Sequence, residues 1–222
     1  MKLRHLLSAA LLAACSQANS AADSSNHSLV TRAEGNIQLS SGKDAAKTLL
    51  PFSKLKPGDK LQLAAKSNLQ LVYLNNGRQE SWRGPGQLDI GQNQSSSPQS
   101  NYAPEVKQLP PAVLSALSKT PGLMADIRNR AGMVFVRSGG VVDQIREMDD
   151  TYAQLRASSS ADDITPELYL LNREYELKLY QDMRRVLDEM VLRQPNNPEV
   201  ISARNLFLRM LNDSQHKSGK GQ

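Results

Sequence analysis

The residues best suited to chemistry lie between positions 78 and 86, where Arg78-Gln79-Glu80 is followed, after Ser81, by Trp82-Arg83-Gly84-Pro85-Gly86. A lone tryptophan beside an arginine and a turn can stack on a sugar ring or an aromatic group while Arg78 or Arg83 pairs with a carboxylate or phosphate. The same residues have a structural reading, which their types favour: Trp82 packs into a β core, Arg83 covers its edge and Gly-Pro-Gly is only a turn. Signals for catalysis are weaker. Asp149-Asp150, Asp162-Asp163 and Asp188-Glu189 are neighbours in sequence, and neighbours on a helix diverge by about 100°, so they do not flank one substrate. His5, His27 and His216 are scattered and the chain has one cysteine, which leaves no ordinary zinc-ligand set. Gly-x-Ser-x-Gly, Walker and dinucleotide-binding glycine motifs do not occur. No catalytic, cofactor or metal residues are therefore expected, and the protein reads first as a non-enzymatic binding module. A hydrolase built from Asp, Glu or a Ser-Lys pair is the enzymatic alternative.

Cys15 carries the second chemical signal. Residues 1–14 have a charged start (Lys2, Arg4) and a short apolar run, the pattern of a secretory signal and too short to span a bilayer, which takes about 20 apolar residues. The run ends in Leu12-Ala13-Ala14-Cys15, which resembles the lipobox of bacterial lipoproteins. The resemblance implies that the Cys15 thiol is alkylated with lipid before cleavage, and that Ser16 in second position directs the protein to the outer membrane, facing the periplasm. Burying each lipid methylene contributes about 0.8 kcal/mol, so two or three acyl chains hold a protein almost permanently. Cleavage after Ser20 or Ala22, giving a soluble periplasmic form, is the other reading. Residues 15–27 are small and polar, a tether spanning roughly 20 Å on average.

These sites need elements to hold them. Alternating apolar residues predict strands near 28–33, 35–40, 60–65, 68–74, 78–82 and 87–90, with turn signals at Pro57-Gly58-Asp59 and Asn75-Asn76-Gly77. The expected fold is a small antiparallel β sandwich or partly open barrel over 28–91. Gly35-Asn-Ile-Gln-Leu39, Leu55-Lys-Pro-Gly-Asp-Lys-Leu-Gln-Leu63 and Ser67-Asn-Leu-Gln-Leu-Val-Tyr-Leu-Asn-Asn-Gly77 together resemble the FecR-type domain of bacterial periplasmic proteins. The match covers under a third of the chain. It implies an extracytoplasmic β module that binds another envelope protein. The regulators that define that family carry an anti-sigma segment and a transmembrane helix ahead of the module. Neither is seen here, so direct sigma-factor control is not expected.

Residues 92–110, rich in Gln, Ser, Asn and Pro, predict an extended, mobile linker. A helical bundle is expected over 111–213 and a disordered tail over 214–222, making the whole chain α+β. Short helices are predicted over 112–118 and from Thr120-Pro121 to about Gly132, with Met133 to Arg137 as a strand or further helix. Val142, Ile145, Met148, Tyr152 and Leu155 recur at helical spacing. Thr165 as N-cap and Pro166 at the first helical position open one long helix to about Arg193. Pro195-Asn-Asn-Pro198 ends it, and Asn197 caps the last helix. The two helices flanking that stop resemble one tetratricopeptide-type hairpin, but no second copy follows at the repeat period.

Charge narrows the partners. The formal net charge is +5, from 27 basic and 22 acidic residues; without Lys2 and Arg4 it is +3. Residues 15–110 hold ten basic against seven acidic residues and 111–222 hold fifteen of each, so no dense basic face suits nucleic acid. The expected partners are a membrane through the lipid anchor and an envelope protein, with peptidoglycan or another glycan at Arg78, Trp82 and Arg83 as the alternative.

Overall fold

The computed structural model describes residues 27–42, 44–129 and 142–218. The signal segment, Cys15, nearly all of the tether and the Met133 to Arg137 segment lie outside the described residues. The protein is α+β: the described residues form ten strands in two antiparallel five-stranded sheets, followed by helices. The first sheet has the order β10 (Glu105–Gln108), β7 (Arg78–Arg83), β6 (Asn68–Tyr73), β1 (Ser28–Glu34), β4 (Lys54–Leu55). The second runs β3 (Lys47–Thr48), β2 (Ile37–Ser40), β5 (Lys60–Leu63), β8 (Gly86–Ile90), β9 (Ser95–Ser96).

Period-two alternation builds the core between the sheets. Leu69, Leu71 and Tyr73 of β6 face Leu61 and Leu63 of β5 and Leu88 and Ile90 of β8 in one buried cluster that also holds Trp82. The strands over 60–65 and 68–74, neighbours in the chain, do not pair with each other. β5 pairs with β2 and β8, while β6 pairs with β1 and β7. The two leucine sets meet face to face from opposite sheets rather than side by side. Both patterns alternate in the same way, so alternation does not distinguish the two arrangements.

The other face of the first sheet carries the helices: α1 (Pro111–Leu117), α2 (Thr120–Asn129), α3 (Val142–Ala157), α4 (Thr165–Glu176), α5 (Tyr180–Arg193) and α6 (Pro198–Ser218). Leu29, Phe52, Val72 and Leu109 join helical residues such as Leu117, Leu168, Met190 and Phe207 in a second core cluster. The first sheet is thus the middle layer of three. α4 packs against α1, α2, α3 and α5, which explains why one side chain after another along it is buried.

Three expectations change here. Residues 92–110 are not a free linker. They form edge strands β9 and β10, paired to β8 and β7, and their outward polar side chains are what gave the stretch a loop-like composition. The single long helix from 165 is two, because Lys178 takes φ 59°. The Leu179 and Lys178 N–H groups donate to the Glu174 and Tyr175 carbonyls at 2.8 and 3.1 Å, a Schellman closure with lysine where glycine is usual. Thr165 is the first residue of α4 rather than its cap: the N-cap is Ile164, which offers no side-chain bond, and Asp163 before it accepts from the Thr165 N–H at 2.8 Å. Asn197 does cap α6, accepting from Glu199 and Val200, and that helix continues to Ser218. Among the described residues no helix is long and apolar enough to cross a membrane.

Candidate functional site

Strand β7 separates the three sequence-nominated residues. Side chains alternate along it, so Arg78, Glu80 and Trp82 face the second sheet while Gln79, Ser81 and Arg83 face the helical side. Trp82 is 2% exposed, its Nε1 donates to Glu80 Oε2 at 3.0 Å, and its ring lies 5.1 Å from that of Tyr102. A stacking platform at Trp82 has no open ring face. Arg78 is equally committed, since its Nε pairs with Glu80 Oε1 at 2.6 Å. The buried Glu80 carboxylate also accepts from the Ser95 N–H at 3.2 and 3.3 Å. Ser95 Oγ is 2.9 Å from the Tyr73 hydroxyl, whose pKa burial pushes up to about 12. Buried polar groups demand such partners. Glu80 therefore locks β7 to β9 across the sandwich.

The opposite face of the first sheet is apolar at one end and polar at the other. Leu29 and Val72 lie under the helices; beyond them a polar row, Arg32, Gln70, Ser81 and Glu105, crosses β1, β6, β7 and β10 in register. This end is open, and forms the floor of a groove of about 700 Å³ lined also by Asn68, Gln79, Arg83, Lys107 and Tyr102. Tyr102 closes one end. Its hydroxyl donates to the Arg83 carbonyl at 2.8 Å, and its ring occupies the space where a side chain on Gly86 would stand.

The far wall is the turn between α3 and α4, and helix side chains hold it in place. Four successive carbonyls are taken: Ser160 and Asp163 by Arg156, Ala161 by Arg193 Nη1 at 3.0 Å and Asp162 by Gln194 Nε2 at 2.9 Å. Glu167, fully buried, pairs with Arg156 at 3.0 Å and Arg193 at 2.9 Å and accepts from the Tyr152 hydroxyl at 3.2 Å. One carboxylate thus orients both arginines.

Floor and wall meet through Arg32 with Asp162, Gln79 with Asp163 Oδ2 at 2.9 Å, and Lys107 with Ser159 at 2.5 Å. Burial lowers the Lys107 pKa, with the Asp163 charge opposing it. Burial acts to raise Asp162, but hydrogen bonds from Ser160 and Arg32 hold its carboxyl below the ordinary value. The side-chain carbonyl of Gln79 and Nε of Arg32 have no hydrogen-bond partner.

Of the nominated residues, the structure brings Arg83 to the groove, buries Trp82 beneath its floor in the core between the sheets and leaves Arg78 half-buried on that other face, paired to Glu80. Arg32, Gln70, Lys107, Tyr102 and the Glu167 cluster carried no sequence motif. Asp162-Asp163, expected to be loop residues, do lie in a turn, and that turn is the groove wall. Among the described residues no three His, Cys, Asp or Glu side chains cluster as a metal site requires. The chain matches no protein-family model, no curated protein and no solved structure.

Proposed function

We propose that this is a non-enzymatic bacterial envelope lipoprotein, anchored through Cys15 in the outer membrane, whose FecR-type β module and helical layer together scaffold another envelope protein. The FecR-type reading draws support from Gly35, Gly58 and Gly77, which have φ of 78°, 94° and 77°. The motif glycines sit where the backbone enters a region that other residues avoid.

The observation that carries the scaffolding role is strand β10. Among the described residues it forms one edge of the first sheet, paired to β7 alone, and Val106 on it is 45% exposed. An edge strand offers unpaired backbone donors and acceptors to an incoming strand, and an apolar side chain on it gives that strand something to bury. Crosslinking of the lipidated protein in intact envelopes is expected to capture one specific polypeptide, and Val106→Lys to abolish the capture. For the anchor, Cys15→Ala is expected to eliminate labelling by radioactive fatty acid and to release the protein in soluble form. Undiminished labelling of that variant would refute the lipoprotein assignment.

A further inference from the structure

We propose that the groove between the first sheet and the α3–α4 turn is a binding site for an uncharged saccharide bearing hydroxyl and acetamido groups, of the kind found in the glycan strand of a bacterial wall. The envelope placement proposed above supplies the source of the glycan. The chemistry follows from the lining alone.

Charge is the first argument. The groove is lined by three cations, Arg32, Arg83 and Lys107, and three carboxylates, Glu105, Asp162 and Asp163. Arg32 is neutralised by Asp162 and Glu34, and Lys107 stands in the field of Asp163. Three cations balance three carboxylates, and among the described residues Arg83 makes no ion pair while Lys107 is hydrogen-bonded to Ser159. A groove with no net charge gives little attraction to a polyanion, which calls for several unpaired Arg or Lys.

The type of polar group is the second argument. Between the ion pairs the surface is built from amides and hydroxyls such as Asn68, Gln70 and Ser81. Amides and hydroxyls present both donors and acceptors, the complement of a sugar hydroxyl, which does the same. Tyr102, partly exposed at the end of the groove, offers an aromatic edge and face to the apolar side of a ring. Peptide recognition, in contrast, relies on apolar pockets or a strand edge. The only large apolar side chains in the lining, Leu69 and Trp82, are buried in the core between the sheets.

Preorganisation is the third. A volume of about 700 Å³ falls within the roughly 300–1,000 Å³ of small-molecule sites. The wall's four carbonyls are already fixed by Arg156, Arg193 and Gln194, so little ordering entropy is lost when a ligand enters.

The test is calorimetric titration of the full chain with tetra-N-acetylchitotetraose, with heparin as the polyanion control. Saturable binding of the saccharide and none of heparin is expected. Asn68→Ala and Ser81→Ala should each weaken it roughly fivefold, as loss of one ordinary hydrogen bond does, with the circular dichroism spectrum unchanged. Arg83→Ala, at an exposed position, gives a third variant that does not depend on the packed floor. Absence of saccharide binding by the folded wild-type chain overturns the proposal. So does binding that all three variants leave unaltered, or preferential binding of heparin. A photo-crosslinker at Asn101 that captures a polypeptide rather than glycan assigns the groove to protein and overturns the saccharide reading. Failure of the wild-type chain to capture any polypeptide, with saccharide binding intact, overturns only the scaffold.

Discussion

Glu167→Ala is expected to lower the unfolding free energy by about 3–5 kcal/mol, the usual cost of removing one partner from a buried ionic cluster. Glu167 is fully buried and joins Arg156 of α3 and Arg193 of α5 through its two oxygens. Its loss leaves two largely buried guanidinium groups facing each other, Arg156 without a carboxylate and Arg193 with only its 3.6 Å contact to Glu189. The same two arginines hold the carbonyls of Ser160, Ala161 and Asp163, so the groove wall should loosen with the bundle. Urea denaturation measures the first effect, and amide hydrogen exchange over 158–163 the second. A loss under about 1 kcal/mol, the scale of an exposed pair, would show that the cluster does not bear on stability. Glu167→Gln, which keeps the acceptors but not the charge, should fall between.

Glu174→Gln is expected to stabilise the protein, and only at high pH. Glu174 is buried on α4 with one carboxylate oxygen lacking any partner. Among the described residues its ion pair is a 3.7 Å contact to the exposed Arg185. Burial raises its pKa from 4.5 to about 8, against the Arg185 charge and with Asp182 and Asp149 adding to the rise. Between these values the folded chain holds a proton that the unfolded chain has lost. Stability therefore falls as pH rises through that window and levels off above about 8. The full shift corresponds to a loss on the order of 2–5 kcal/mol. Glutamine carries no charge at any pH, so the variant should match wild type at pH 4 and exceed it at pH 8.5. Parallel urea midpoints across that range would contradict the burial of an unpartnered carboxyl.

Much of the β architecture was legible because alternation and turn glycines act locally. Leu61, Leu63, Leu69 and Leu71 are inward, and the turns at Gly58 and Gly77 fall where they were read. The turn at 75–77 does join the paired strands β6 and β7; that β5 and β6 belong to different sheets was not legible, since they alternate alike and only tertiary packing separates them. Edge strands β9 and β10 were hidden by their polar composition: edge positions need no apolar residues, and the informative ones, Tyr102 and Leu109, are isolated. The break at Lys178 was hidden because neither glycine nor proline marks it.

For the site, the pairing of Trp82 with Arg83 contained its own correction. Adjacent residues on a strand point to opposite faces, so once 78–82 is a strand the two side chains cannot hold one ligand together. The spacing of Arg78, Glu80 and Trp82 at every second residue already indicated a shared face. What no local rule exposes is the groove, whose floor comes from four strands and whose wall comes from a turn more than fifty residues further along the chain. Long-range side-chain bonds such as Gln79 to Asp163 create it, and they leave no motif.

The most direct test of the scaffold is a photo-crosslinking residue at position 106 of the lipidated protein, activated in intact envelopes, with the same residue at Leu192, 74% exposed on α5, as reference. The expected result is a single polypeptide adduct at 106, absent at 192 and lost when the outward edge of β10 is blocked by replacing Gln108 with proline, because the N–H groups alternate and those of Lys107 and Leu109 face β7. Equal adducts at both positions, or none at 106, would contradict an edge-strand docking site and with it the proposed role.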